Sequence, residues 1–173
     1  MKLKKYTFKS VTSTNDIAIK KIKKGIPSGI IIAKNQTKGR GRYGKKWISI
    51  TNNLFMSIFF SLNKRISLKK LTFISCQIVK NSLIKLMQKK IKIKKPNDLL
   101  INNRKVCGIL QEIVFFKNNK FAIIGIGVNI NHSPNIIGYP TTYINSFTKK
   151  KISNPKISNE IKINFENYLD KIK

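Results

Sequence analysis

Three apolar segments in the second half of the chain (residues 99–101, 106–116 and 121–130) constrain its fold more than any other feature. Only short polar stretches separate them, and each stretch holds an Asn pair, Asn102-Asn103 and Asn118-Asn119. Asn tolerates left-handed backbone, so such pairs between β-rich runs predict two consecutive hairpins. Ile91-Lys92-Ile93-Lys94 precedes them as a further strand. The first half alternates elements. A strand over 4–11 leads into Ser13-Thr14-Asn15-Asp16, whose Ser-x-x-Asp spacing caps a helix that Gly25 stops. Buried strands follow over 29–33 and 54–62, then a helix opened by Ser67 with Leu71, Ile74, Ile78, Leu83 and Met87 at helical spacing. Residues 132–156 carry only weak structural signals, and a last helix is expected over 157–173. The expectation is an α+β fold with a mixed, largely antiparallel sheet packed against helices. Hydrophobic residues make up 41% of 173, which suits a single domain spanning 1–173.

Several function classes fall away on composition. No apolar run approaches the roughly 18 residues that cross a bilayer. The basic start, Met1-Lys2-Leu3-Lys4-Lys5-Tyr6, has no apolar region behind it as a secretory signal would. Two cysteines, Cys76 and Cys107, are too few for a disulfide framework, and the single His132 leaves no His-based triad or cluster. A reduced, cytoplasmic protein is expected. With 36 Lys and Arg against 6 Asp and Glu, the net charge is +30, an electrostatic footprint that nucleic-acid binders share. Only Arg40, Arg42, Arg65 and Arg104 are arginine, however, and the lysines are spread along the chain. Lys, Ile and Asn share A/T-rich codons, so compositional drift and a selected charge both stand as readings.

Gly39-Arg40-Gly41-Arg42-Tyr43-Gly44 matches G-x-G-x-x-G but leads into Lys45-Lys46-Trp47 and a strand. A dinucleotide fold needs a helix there, so that reading fails. What remains is a glycine loop holding two of the four arginines, whose planar forks suit carboxylate or phosphate oxygens. A solvated basic turn is the bland alternative. Further on, Lys95-Pro96-Asn97-Asp98 precedes Arg104-Lys105-Val106-Cys107-Gly108-Ile109. Asp98, a scarce acid, could bind a metal, orient a lysine or cap a turn, and Lys105 is placed to point inward beside Gly108. In Gly125-Ile126-Gly127-Val128-Asn129, glycines within an apolar strand mark either close approach or a bulge.

Taken together, Ser13-Thr14-Asn15, Gln36, the residues from Gly39 to Trp47, the 95–98 and 104–109 segments and the 125–129 segment resemble the ordered motifs of biotin–protein ligases. The resemblance runs from about residue 6 to 131 and more weakly through the last helix. It implies a fold related to lipoate ligases and class II aminoacyl-tRNA synthetases. The implied activity uses ATP and Mg²⁺ to make biotinyl-5′-AMP, then transfers biotin to a lysine of a biotin carboxyl carrier protein, a small and often acidic acceptor. A biotin site of Ser13, Thr14, Asn15, Gln36, Gly39, Arg40, Lys105, Gly108 and Gly127 is implied. The nucleotide would meet Arg40, Arg42, Lys45, Trp47, Asn97 and Asn129. Lys105, Arg40 and Asp98 would carry the chemistry, with Asp98 toward the metal.

This sequence departs from the family pattern at Lys95, where Trp is usual, and at Tyr43 and Lys45, where Arg is common. The first removes an aromatic wall and the others remove bidentate contacts. The resemblance covers the catalytic domain, with neither the helix-turn-helix module nor the small C-terminal β-domain of larger members expected, and no specific DNA or membrane partner. A homodimer is left open. A lipoate or octanoate transferase of the same fold is the alternative enzyme, although its Arg-Arg-x-Ser-Gly-Gly-Gly loop is absent. An inactive, basic nucleic-acid-binding remnant is the alternative from another class.

Overall fold

Leu54–Ser61 reads LFMSIFFS, and seven of these eight residues are buried. A strand apolar on both faces must be covered on both faces, and that requirement organises the molecule. In the computed structural model, which describes residues 1–62 and 66–172, the element order is β1 (Lys5–Val11), α1 (Thr14–Lys23), β2 (Ser28–Gln36), β3 (Leu54–Ser61), α2 (Leu68–Met87), β4 (Lys92–Lys94), β5 (Asp98–Ile101), β6 (Arg104–Phe116), β7 (Asn119–Val128) and α3 (Asn154–Lys171). Among these residues the strands form a seven-stranded sheet in the order β1-β2-β3-β7-β6-β5-β4. Only β1 and β2 pair in parallel, because α1 returns the chain between them; every other pairing is antiparallel. The expected mixed, largely antiparallel α+β architecture is what forms.

The two-residue period of strands divides the core. Ile30, Ile58, Phe60, Ala122 and Ile124 pack with residues of α2 and α3, including Leu71, Val79, Ile161 and Phe165. Their neighbours Ile31, Phe59, Phe121 and Ile123 face the other way, against Ala18 and Ile22 of α1. With ten residues, α1 covers only part of its face. Further along β3 and β7, and on β6 beside them, that face turns small or polar, at Ser57, Gly125, Gly127 and Gly108, and there the sheet stays open.

The turns follow their residues. Asn102 and Asn103 both take positive φ, joining β5 to β6, whereas the second turn is centred on Lys117 and Asn118. It thus lies one residue earlier than the Asn118-Asn119 pair suggested, because Asn119 already begins β7. The last helix also starts early, at Asn154, with Pro155 in its first turn, where a missing N–H costs nothing. Residues 132–156 are ordered by side-chain bonds. Asn53 Oδ1 accepts backbone N–H bonds from Ile130, Asn131 and His132, and Asn145 reaches both Asn131 and Ile152. Arg65 and Lys173, the latter the last residue of the expected final helix, lie outside the described residues.

Candidate active site

The open part of the α1 face holds a cleft of about 560 Å³. One end is built by the first turn of α1. Ser13 caps the helix, its Oγ accepting the Asp16 N–H. Capping turns the next two side chains toward the sheet, where Thr14 and Asn15 are buried. Thr14 donates through both N and Oγ1 to Gln36 Oε1, at 2.8 and 3.1 Å. Gln36 Nε2 continues to Ser49 Oγ. Ser57 Oγ sits 2.5 Å from Asn15 Oδ1 and 2.7 Å from Thr14 Oγ1. The fixed donors and acceptors at this end therefore form one connected network.

The floor is a pair of glycines in register, Gly108 on β6 and Gly127 on β7. A β-carbon on Gly127 would stand 2.5 Å from the Trp47 indole, and one on Gly108 would stand 2.7 Å from it. Gly125 makes the same allowance for Asn15, whose Oδ1 would lie 2.6 Å from an added β-carbon. Close approach, not a bulge, explains these glycines. Trp47 Nε1 is buried with no hydrogen-bond partner among the described residues.

Residues 39–47 form the cleft's rim as a small hairpin. Arg40 bridges Lys46, the Gly41 N–H donates to Lys45 O, and the Trp47 N–H donates to Gly39 O. Tyr43 and Gly44 turn the tip in left-handed backbone, φ 54° and 71°, and Arg42 lies over the Tyr43 ring. Arg40 reaches across to two acids. Its Nη1 is 2.5 Å from Asp16 Oδ1, and its Nη2 is 3.2 Å from Glu112 Oε2. Glu112 also accepts from Asn15 Nδ2 at 2.5 Å.

At the other end Lys105 points inward, its Nζ 2.8 Å from Asp98 Oδ1. Tyr139 donates its hydroxyl to the other Asp98 oxygen at 2.6 Å. The Trp47 and Tyr139 rings each lie 5.4 Å from the same ammonium, within cation–π range. Burial and the Asp98 carboxylate together push the Tyr139 hydroxyl well above its usual pKa, so it stays a donor. Asp98 thus orients a lysine, one of the three roles its sequence position allows. Among the described residues no three His, Cys, Asp or Glu side chains cluster to hold a metal.

Of the sequence-selected residues, Ser13, Thr14, Asn15, Gln36, Arg40, Arg42, Lys45, Trp47, Asn97, Asp98, Lys105, Gly108 and Gly127 all line the cleft. Gly39 and Asn129 are not among its lining. Gly39 is buried at the loop's base, where a β-carbon would lie 2.8 Å from Trp47 O. Asn129 is buried and donates to Thr142 O. Asn97 does line the cleft, but its amide donates to Ile109 O. Sequence reasoning missed Ser57, Glu112 and Tyr139. Glu112 left a usable signal, being one of only six acids; Tyr139, in a segment without periodicity, left none. The lining carries Arg40, Arg42, Lys45, Lys46 and Lys105 against the single acid Asp98, an arrangement that receives anions. Cys107 underlies the floor, and burial raises its thiol well above the usual pKa, so it offers no nucleophile.

The sequence matches the biotin/lipoate A/B protein ligase family over residues 7–131. It is 35% identical over 131 residues to the bifunctional ligase/repressor BirA of Bacillus subtilis, an alignment covering 72% of this chain and 40% of that protein. This chain thus spans well under two thirds of that relative's length. Among solved structures, the biotin protein ligase of Aquifex aeolicus in complex with biotin and ATP is 27% identical. It superposes with a TM-score of 0.78, covering 98% of this chain and 72% of that one. The ligase of Leishmania major in complex with biotinyl-5-AMP, at 24% identity, shares the fold with a TM-score of 0.85 over 97% of this chain and 75% of that one. With the matched region holding α1, the glycine loop, the Lys105–Asp98 pair and the glycine floor, the chain belongs to the biotin/lipoate A/B protein ligase family.

Proposed function

We propose that this chain is an ATP-dependent biotin–protein ligase domain. A biotin carboxylate oxygen attacks the α-phosphorus of ATP, pyrophosphate leaves, and biotinyl-5′-AMP forms. The amine of one lysine on a biotin carboxyl carrier protein then attacks the acyl carbon, and AMP leaves. The observation that carries the reading is the cleft lining, in which Arg42, Lys45 and Lys46 stand with the ion-paired cations Arg40 and Lys105 over a glycine floor. Bringing a carboxylate onto a polyphosphate joins two anions, so preorganised cations supply most of what such a site must supply.

Each residue takes a part that its chemistry allows. The Thr14–Asn15–Ser57–Gln36 network offers directed donors and acceptors for the ureido ring. Lys105, held by Asp98 and flanked by two rings, neutralises charge where carboxylate and phosphate meet. Arg40, Arg42 and Lys45 lie on a loop that closes over the cleft, and a closed loop keeps water from the mixed anhydride. Mg²⁺ arrives on nucleotide phosphates and needs only one or two protein carboxylates; Asp98 is the acid available for it and for the charge it neutralises. No helix among the described residues is long and apolar enough to cross a membrane, and two buried free thiols suit a reducing, cytoplasmic setting.

The test is ATP–pyrophosphate exchange run with biotin and with lipoate side by side. Exchange dependent on biotin is expected. Exchange with lipoate alone would transfer the site to the family's other substrate, and none with either would overturn the ligase reading.

A further inference from the structure

Acids are rare in this chain, and each of the six is engaged in an ion pair. Asp170, Glu160 and Glu166 tie α3 to the N-terminus, to α2 and to its own preceding turn. Asp98 holds Lys105. The remaining two, Asp16 and Glu112, meet on one arginine in a chain with dozens of other cations to choose from. They come from the first turn of α1 and from β6, while Arg40 comes from the rim loop. These side chains are about a third exposed (37% for Arg40, 29% and 31% for the acids), so solvent screens the pairs and they add little to global stability. What they fix is where the loop lies.

We propose that Glu112, with Asp16, is a carboxylate clasp that holds the loop of residues 39–47 shut over the cleft by gripping Arg40, and that Glu112 is thereby a positioning residue for the chemistry beneath. The loop's backbone bonds run largely within itself, from Arg40 to Lys46, Gly41 to Lys45 and Gly39 to Trp47. Arg40 is the loop side chain that grips α1 and β6. Glu112 does more than grip: it also accepts from Asn15, which joins Ser57, Thr14 and Gln36. Closure of the rim is thus wired to the polar end of the cleft, and a ligand that engages Asn15 changes what Glu112 can offer Arg40. The clasp stands on geometry alone; its consequence for an adenylate intermediate rests on the ligase reading.

Trp47, the chain's single tryptophan, ends this loop on the glycine floor and reports its state. Acrylamide, an uncharged quencher, is applied to the full chain as wild type, E112Q and D16N, at low and high salt. In the wild type, quenching is expected to be weak at low salt and to rise as salt screens the clasp. Both variants are expected to quench more at low salt and to lose most of the salt response, while unfolding within a few degrees of wild type. Should E112Q fail to fold, D16N tests the same clasp from the α1 side. Equal quenching and equal salt response in all proteins overturns the clasp, whatever the activity. In single-turnover assays, E112Q should release or hydrolyse biotinyl-adenylate about three- to tenfold faster, the loss of a part-screened charged hydrogen bond. An intermediate held as long as in wild type overturns the positioning role. No biotin-dependent exchange in wild type, with the quenching pattern as expected, removes the ligase reading and leaves the clasp.

Discussion

Lys105 and Asp98 face each other from the two arms of one hairpin, Nζ to Oδ1 at 2.8 Å, with only 20% and 15% of their side chains exposed. So shielded a pair holds its geometry, with Lys105 lining the cleft. Lys105→Gln removes the charge while keeping a polar side chain, one bond shorter. Adenylation should fall about 100- to 1,000-fold, the usual loss for one preorganised charge-stabilising donor. Transfer from preformed biotinyl-5′-AMP should fall much less, because the two anions have already been joined. Single-turnover measurement of each half-reaction decides it, and equal slowing of both would take Lys105 out of this role.

The glycine floor makes a structural prediction. Gly127→Ala sets a β-carbon 2.5 Å from the Trp47 ring, closer than packed atoms stand, so the indole must shift. Overpacking of this kind costs about 1–3 kcal/mol. The expected readouts are a lower melting temperature and a changed Trp47 emission maximum. An unchanged emission spectrum would mean that the indole does not rest on this glycine.

Much of this architecture was legible because its signals are local. The Ser13 cap, the Asn102-Asn103 turn and the buried strands over 29–33 and 54–62 each arise within a few residues. The inward Lys105 and the glycines at 108, 125 and 127 were legible for the same reason. The scarcity of acids marked Glu112, but not its role, since its partners Asn15 and Arg40 are 97 and 72 residues away and no periodicity links them. Tyr139 meets Asp98 across 41 residues, from a segment ordered by asparagine bonds to backbone and so lacking any hydrophobic pattern. Long-range polar contacts are where local reading ends.

Acid should loosen the N-terminus from α3. Burial alone would raise the Glu166 pKa, but its bonds from Lys162 and the Leu3 N–H outweigh that, and its pKa falls below the ordinary 4.5. A carboxylate with a depressed folded pKa stabilises fully above its unfolded value and loses that contribution as pH falls through the folded one. Wild type should therefore melt above Glu166→Gln near neutral pH, with the gap closing below about pH 4.5. A gap constant from pH 7 to pH 3 would show that the carboxylate charge contributes nothing here.

The net charge of +30 makes a last prediction, about the acceptor. On the proposed function, an acidic carrier domain approaching so basic a chain is steered by its field, and steering raises association about tenfold or more at low salt. The Debye length shortens from about 30 Å at 0.01 M to about 8 Å at 0.15 M salt. Transfer measured under kcat/KM conditions for the acceptor should then fall steeply with salt. Adenylation of singly charged biotin, at saturating ATP, should fall far less, because biotin carries little charge for the field to act on. The lysines' spread along the chain also fits codon bias, which offers the acceptor no special advantage. Equal salt slopes for the two half-reactions would decide for drift, and only a steeper slope for transfer gives the charge a function.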